Sequence, residues 1–317
     1  MILCVAGNPS IDKLFEVEQL KPGGIHRPES FVQLPGGKGI HVAQVASALG
    51  AASIATGLLG GHAGRWVAEA LAEGGVDGRF AWTSGETRSS LSVADRETER
   101  LTEFYEAGTP VTMDQWKELE SIVQSLLPQA TWIALAGSLP PDAPSDGYAR
   151  LLAAARDAGV SVALDSRGEA LGQALAAGPE LVKINAQEAR ELLGERIDGL
   201  EHAQQAADEL RARAGGAGHA AVVTLGEQGV VVVGPDGTTW RGYLPARGRY
   251  PVGSGDALLA GMLVSLERGD SWPVAIALGV GVAAANAEVP GAARLDPERA
   301  RALAAVADVR VARALNQ

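Results

Sequence analysis

The chain has 317 residues, 46% of them hydrophobic and 21% charged, a balance that excludes disorder and fibrous repeats and leaves room for one large α/β domain or two medium ones. Its formal charge of -11 argues against a general nucleic-acid binder, because nonspecific affinity for phosphate backbones comes from clustered Lys and Arg. A lone cysteine, Cys4, excludes an intrachain disulfide and fits a reducing compartment.

Cys4 lies in an apolar run over 2–6 that reads as a buried strand, with no basic segment ahead of it, so a signal peptide is not expected and a cytoplasmic location is. Segment 12–34 then alternates apolar and polar residues without helical spacing. A helix is predicted over 39–49, a strand over 54–59 and a helix over 66–73. Segment 88–108 alternates again: Ser90, Ser92 and Ala94 interleave with Leu91, Val93 and Asp95, and 101–105 can pair back across a turn at 96–100. The two alternating segments predict a small sheet acting as a lid or a dimer surface, with ordinary surface loops as the alternative. Further on, helices over 116–127, 148–157, 186–193 and 203–213 alternate with strands over 131–136, 160–164, 181–184 and 220–225. This rhythm predicts a mostly parallel sheet covered by helices. The last third reads as mostly helical over 254–287, and its longest apolar stretch, 274–285, falls short of the about 20 residues that span a bilayer. No repeat or linker interrupts the chain, so a single domain over 1–317 is expected, with a β lid from about 12–34 and 88–108.

Several short motifs carry chemistry. Gly253-Ser254-Gly255-Asp256 opens a helical run, so its backbone N–H groups and the helix dipole favour an anion, and Asp256 in the first turn can take a proton from a nearby hydroxyl. The same string also reads as a simple helix cap. Pro35-Gly36-Gly37-Lys38-Gly39 precedes another helix but lacks the Ser or Thr that follows the lysine of a P-loop. Its glycines still allow close backbone approach to a polyol, and Lys38 offers a point charge for a phosphate. Asn185-Ala186-Gln187-Glu188 follows a strand, at the edge where ligands of open α/β sheets gather. It suits either Mg²⁺ held through water or a capping box. Thr224-Leu225-Gly226-Glu227-Gln228-Gly229 reads equally as a nucleotide-facing turn or a hairpin. The five histidines have no metal-ligand spacing, and Gly137-Ser138-Leu139 lacks the second flanking glycine of a hydrolase elbow.

Taken together and in this order, the pieces resemble the ribokinase-like PfkB family of carbohydrate kinases, in particular its 1-phosphofructokinase and tagatose-6-phosphate kinase branch. The resemblance runs through Asn8-Pro9-Ser10-Ile11-Asp12, Pro35 to Ile40, Thr87-Arg88, Gly137-Ser138-Leu139-Pro140-Pro141, Leu164-Asp165, Asn185 with Glu188, Thr224-Leu225-Gly226 and Gly253 to Asp256. It implies a three-layer α/β/α sandwich with a small β lid, often dimeric through the lid. By similarity, Asp256 is the general base and Gly253, Ser254 and Gly255 form an anion hole. Asp12, Gly37, Lys38 and Arg88 face the sugar phosphate, with Ser138 and Arg27 on the same side. Lys183, Asn185, Thr224, Gly226, Gly229 and Asn286 face ATP, and Glu188 faces Mg²⁺. Phosphoryl transfer asks a protein for positioning and charge stabilisation above all, which such a set supplies.

Five positions depart from the family pattern: His41 replaces Asn, Ser92 a lysine, Tyr105 an Asn, Ile184 a Pro and Arg167 a Ser. Losing a cation at 92 weakens the grip on a phosphate, but Lys38 and Arg88 remain. The expected substrate is therefore a ketohexose phosphate, fructose 1-phosphate first and fructose 6-phosphate or tagatose 6-phosphate next. A kinase for an unphosphorylated sugar or nucleoside, and a non-catalytic sugar-phosphate sensor, are the alternatives.

Overall fold

A computed structural model describes residues 1–245 and 248–312. From the N-terminus run β1 (Ile2–Ala6), β2 (Ser10–Val17), β3 (Ser30–Gly36), α1 (Lys38–Ala48), β4 (Ser53–Gly60), α2 (Gly61–Glu73), β5 (Asp77–Thr83), β6 (Arg88–Asp95), β7 (Arg100–Tyr105), α3 (Met113–Leu126) and β8 (Trp132–Ala136). The second half holds α4 (Gly147–Asp157), β9 (Ser161–Asp165), α5 (Gly168–Ala176), β10 (Leu181–Asn185), α6 (Ala186–Leu193), α7 (Leu200–Arg213), β11 (Ala220–Thr224), β12 (Val230–Val233) and β13 (Thr239–Tyr243). It ends with α8 (Ser254–Glu267), α9 (Trp272–Ala287), α10 (Pro297–Ala305) and β14 (Asp308–Val311).

Ten strands form the main sheet in the order β14-β13-β12-β11-β10-β9-β8-β1-β4-β5. From β11 through β5 every pair is parallel, whereas β12, β13 and β14 add antiparallel strands at one edge. Strands buried on both faces need apolar side chains on both, which is why 2–6 reads as a continuous run. In β1, Ile2, Cys4 and Ala6 join a core with α1, α2, α8, α9 and α10, while Leu3 and Val5 join a second core with α3, α4, α5 and α7. Helices therefore cover both sides of the sheet, giving the three layers expected. Cys4 is fully buried and burial pushes its thiol well above the ordinary range, so it is an inert core residue.

The second sheet has the order β3-β2-β6-β7, and β6 and β7 pair across the turn at 96–99. Its register puts Asp12, Ser90 and Tyr105 in one row and Leu14, Ser92 and Glu103 in the next on the same face. The opposite face carries Phe15, Phe31, Leu91 and Phe104, with Phe15 and Phe31 in ring contact at 5.3 Å. Period-two alternation thus separates a polar inner face from an aromatic outer one. The expected helical stretch 254–287 is broken into α8 and α9 where Gly269 takes a left-handed φ of 80°, and β5, α5, β13, α10 and β14 were not foreseen. Most of these are flanking elements whose short or mixed patterns carry little periodicity.

Candidate active site

The carboxyl ends of β8, β9, β10 and β11 lie side by side, with Ala136 opposite Asp165 and Asn185 opposite Thr224 in the register. Helices α1 and α8 start at the same edge, and the second sheet stands over it. Between them opens a cavity of about 1280 Å³ lined by Asp12, Lys38, His41, Arg88, Ser138, Arg167, Lys183, Asn185, Glu188, Thr224 and the turn 251–256. Parallel strands deliver their following loops to one edge, so motifs scattered over 250 residues of sequence converge there.

At the floor, Asp165 is fully buried and accepts from two lysines: Lys183 Nζ at 2.7 Å on Oδ2 and Lys38 Nζ at 2.6 Å on Oδ1. Lys38 also reaches Glu188 Oε1 at 2.8 Å. Burial alone would push the Asp165 carboxyl up, but the two ammonium groups outweigh it and hold it below the usual carboxylate range. For Lys38 the signs reverse: burial works against the charge, and Asp165 and Glu188 overcome it and hold the ammonium well above its ordinary value. Lys38 lines the same cavity as Arg88, with its charge shared by two carboxylates. Glu188 is likewise engaged, because Oε2 accepts from the Asn185 N–H at 2.9 Å while the Asn185 side chain accepts from the Glu188 N–H at 2.9 Å. Both arms of a capping box are therefore formed.

Gly253 caps helix α8, its left-handed φ of 78° turns the chain into the helix, and residues 251–256 line the cavity. At Gly255 a Cβ would sit 2.7 Å from Lys183 Nζ, so only glycine lets that ammonium lie against the helix start. Asn286, fully buried on α9, donates to the Val252 carbonyl at 2.9 Å and to Ser254 Oγ at 3.2 Å, and accepts from the Ala293 N–H at 2.9 Å. It is placed behind the turn as a tie and does not line the cavity. Tyr250, on the same loop, donates to Glu16 Oε1 of β2 at 2.6 Å. One helical turn along α1 from Lys38, His41 lies between two carboxylates, 2.7 Å from Asp256 Oδ2 and 2.9 Å from Asp12 Oδ2. The Nδ1 contact is a hydrogen bond, whereas Nε2 makes an ionic contact without hydrogen-bond alignment.

At the far end, Arg88 donates to the Asn8 carbonyl at 3.1 and 3.2 Å, to the Glu106 carbonyl at 3.1 Å and to Ser90 Oγ at 3.2 Å. Burial pulls its pKa below the ordinary guanidinium value, Asp12 opposes that, and the charge of Arg167 adds to it. Arg167 is exposed in the cavity wall and makes no ion pair among the described residues. Ser92 faces the cavity beside Glu103, 3.5 Å across the strands. Ser138 lines the cavity near Asn8, and Gly37, Thr224, Gly226 and Gly229 line it too, whereas Arg27 lies exposed on the β2–β3 connection outside it. The sequence reading treated Asp165, His41 and Arg167 only as a motif member and two departures. Their roles depend on neighbours far away in sequence, which no local pattern signals.

Residues 3–299 match the family described as pfkB family carbohydrate kinase. The chain belongs to that family. The pfkB kinase is 32% identical to a 1-phosphofructokinase of Rhodobacter capsulatus, covering 98% of this chain and 97% of the relative. It is 30% identical to the 1-phosphofructokinase of Bacillus subtilis, covering 90% and 92%. Phosphofructokinase-2 from Escherichia coli, solved in complex with substrates and products, superposes with a TM-score of 0.86 at 28% identity, covering 96% of this chain and 97% of that one. The pfkB kinase is thus an ATP-dependent carbohydrate kinase. None of its helices among the described residues is long and apolar enough to cross a membrane.

Proposed function

We propose that the protein transfers the γ-phosphoryl group of ATP to a hydroxyl of a ketohexose phosphate, fructose 1-phosphate in the first place and fructose 6-phosphate or tagatose 6-phosphate after it. The observation that carries this reading is that two guanidinium groups, Arg88 and Arg167, line the same cavity as Asp256, with the charge of Arg167 acting on Arg88. Two like charges left facing a cavity are relieved by a dianion, and the fork of an arginine suits phosphate oxygens. Arg167 lines the same cavity as Ser92, the position that lacks the lysine of the family pattern, and adds a cation to it. The names of the two relatives support the same substrate class.

In this reading Asp12 grips sugar hydroxyls and Asp256 accepts the proton of the attacking hydroxyl. The freed oxygen bonds to the γ-phosphorus as its bond to the β-phosphate oxygen breaks, and ADP leaves with that electron pair. Backbone N–H groups at 253–255 and the nearby Lys183 and Lys38 meet the charge that develops on the transferred group. Lys183, Asn185, Thr224, Gly226 and Gly229 contact ATP. Mg²⁺ fits here only through water: no cluster of three acidic or histidine ligands exists among the described residues, and Glu188 already bonds on both oxygens. Glu188 would hold the ion through water, the usual mode for so strongly hydrated a cation, and the ion would supply positive charge to offset that of the ATP phosphates.

A coupled ADP-release assay over sugars, sugar phosphates and nucleosides tests the substrate class, and neutral sugars outpacing every hexose phosphate would overturn it. Arg167→Ala is expected to raise KM for the phosphosugar by about tenfold to a hundredfold, the worth of one charge-assisted contact of about 1.5–3 kcal/mol, and to leave neutral sugars unaffected. Equal effects on both would remove Arg167 from the phosphate subsite. We also propose that the second sheet is a lid whose outer face pairs with a second copy, because Phe31 and Phe104, 55% and 57% exposed, flank Phe15 and Leu91 on it. Sedimentation should show a dimer in the wild type and a monomer in Phe31→Asp/Phe104→Asp; a monomeric wild type would reject this surface.

A further inference from the structure

One ring joins the two carboxylates on which the proposed chemistry depends. His41 is buried, with 6% of its side chain exposed, and it spans Asp12 on β2 and Asp256 on α8. A neutral imidazole has one N–H and one lone pair, so it would set a lone pair against one of these carboxylates. Only the doubly protonated ring is attracted to both, donating from Nδ1 to Asp256 and setting its charge 2.9 Å from Asp12 at Nε2. Other cations reach these carboxylates only by their charge: Lys38, on the same helix, hydrogen-bonds Asp165 and Glu188 and acts on Asp256 without bonding it, and Arg88, on β6, acts likewise on Asp12. Ser10, beside Asp12 on β2, donates to Asp12 Oδ1 at 2.6 Å and carries no charge.

We propose that His41 is a positioning residue: as an imidazolium it ties the substrate-gripping carboxylate Asp12 to the proton-accepting carboxylate Asp256 and fixes their separation. The inference rests on the reading of Asp256 as the base. Burial opposes a charge on the ring, but the two carboxylates overcome it and raise its pKa to about 10. Asp12 is held below the usual carboxylate range: burial pushes it up, and His41, Ser10 and Arg88 together outweigh that. On Asp256 the ring occupies Oδ2, which leaves Oδ1, without a hydrogen-bond partner among the described residues, to receive the alcohol proton. The carboxylate is thereby turned to present one oxygen.

Two measurements on the full-length protein test the inference. Long-range ¹H–¹⁵N spectra of the histidine rings should show one ring, lost in His41→Asn, that stays protonated on both nitrogens at pH 8; a neutral ring at that pH overturns the proposal. In His41→Asn, which keeps an amide donor but removes the charge, the acid limb of kcat/KM should move up by about one to three pH units, because a cation 2.9 Å from Asp12 no longer favours its ionised form. An acid limb that coincides with the wild type also overturns it, since a purely structural histidine would change the rate and leave the profile in place. Asp256→Asn, run in parallel, separates the two readings: substantial turnover there would defeat the assignment of the base, while the ring spectrum would still decide the charge on His41.

Discussion

Asp256→Asn is expected to lower kcat by about three orders of magnitude, within the range that general-base catalysis contributes, with ATP affinity close to that of the wild type. The amide is nearly isosteric and can still meet the His41 ring, so the helix start and its N–H groups at 253–255 should persist. What disappears is a proton acceptor needed only as the alcohol attacks, and such a loss falls on kcat and on kcat/KM alike. Steady-state rates with a phosphosugar, beside calorimetric titration with an unreactive ATP analogue, separate the two effects. A variant that keeps more than about a tenth of kcat would show that another group takes the proton, since general-base contributions begin at about a hundredfold. Wild-type turnover itself disposes of the non-catalytic sensor.

The largest effect on stability should come from Asp165→Asn. This carboxylate is fully buried and holds two ammonium groups, and removing one partner of a buried pair costs about 3–5 kcal/mol because the charge left behind is uncompensated. Lys38 retains Glu188, but Lys183 has no other ion-pair partner among the described residues. Urea unfolding should show the midpoint falling with little change in slope. The pH dependence has a definite sign. Asp165 has a lowered folded-state pKa, so its contribution is complete above the unfolded value of about 3.9 and fades as pH falls through the folded value. Lys38, raised in the folded state, contributes fully below the unfolded lysine value of about 10.4 and loses this only as pH rises through its higher folded one. The gap between wild type and variant should therefore be widest on the plateau between these limits and close in acid. A gap that stays constant into strong acid would mean that the ion pairs do not set it.

Much of the architecture was legible because parallel strands buried on both faces leave uninterrupted apolar runs, and the amphipathic helices between them leave three- and four-residue spacings. The second sheet was legible for the complementary reason: one face is wet and one is not, so Ser90, Ser92 and Ala94 alternate with Leu91, Val93 and Asp95. Elements such as β13 and β14, at the sheet edge with partly exposed residues, left no comparable trace. At the site, glycine-rich turns betray themselves locally, since backbone geometry demands them. Charge partnerships do not. Nothing near Lys38 in sequence announces that Asp165, 127 residues away, will take its charge, and nothing near His41 announces Asp256. Of the residues that departed from the family pattern, His41, Ser92, Tyr105 and Arg167 all line the cavity.

The bond from Tyr250 to Glu16 has a mechanical consequence. It fastens the strand that carries Asp12 to the loop that runs, three residues later, into the left-handed Gly253, and Asn286 braces that loop from behind. Under the proposed reading, a displacement of the second sheet would pull through this bond on the start of α8, linking the sugar end of the cavity to the nucleotide end.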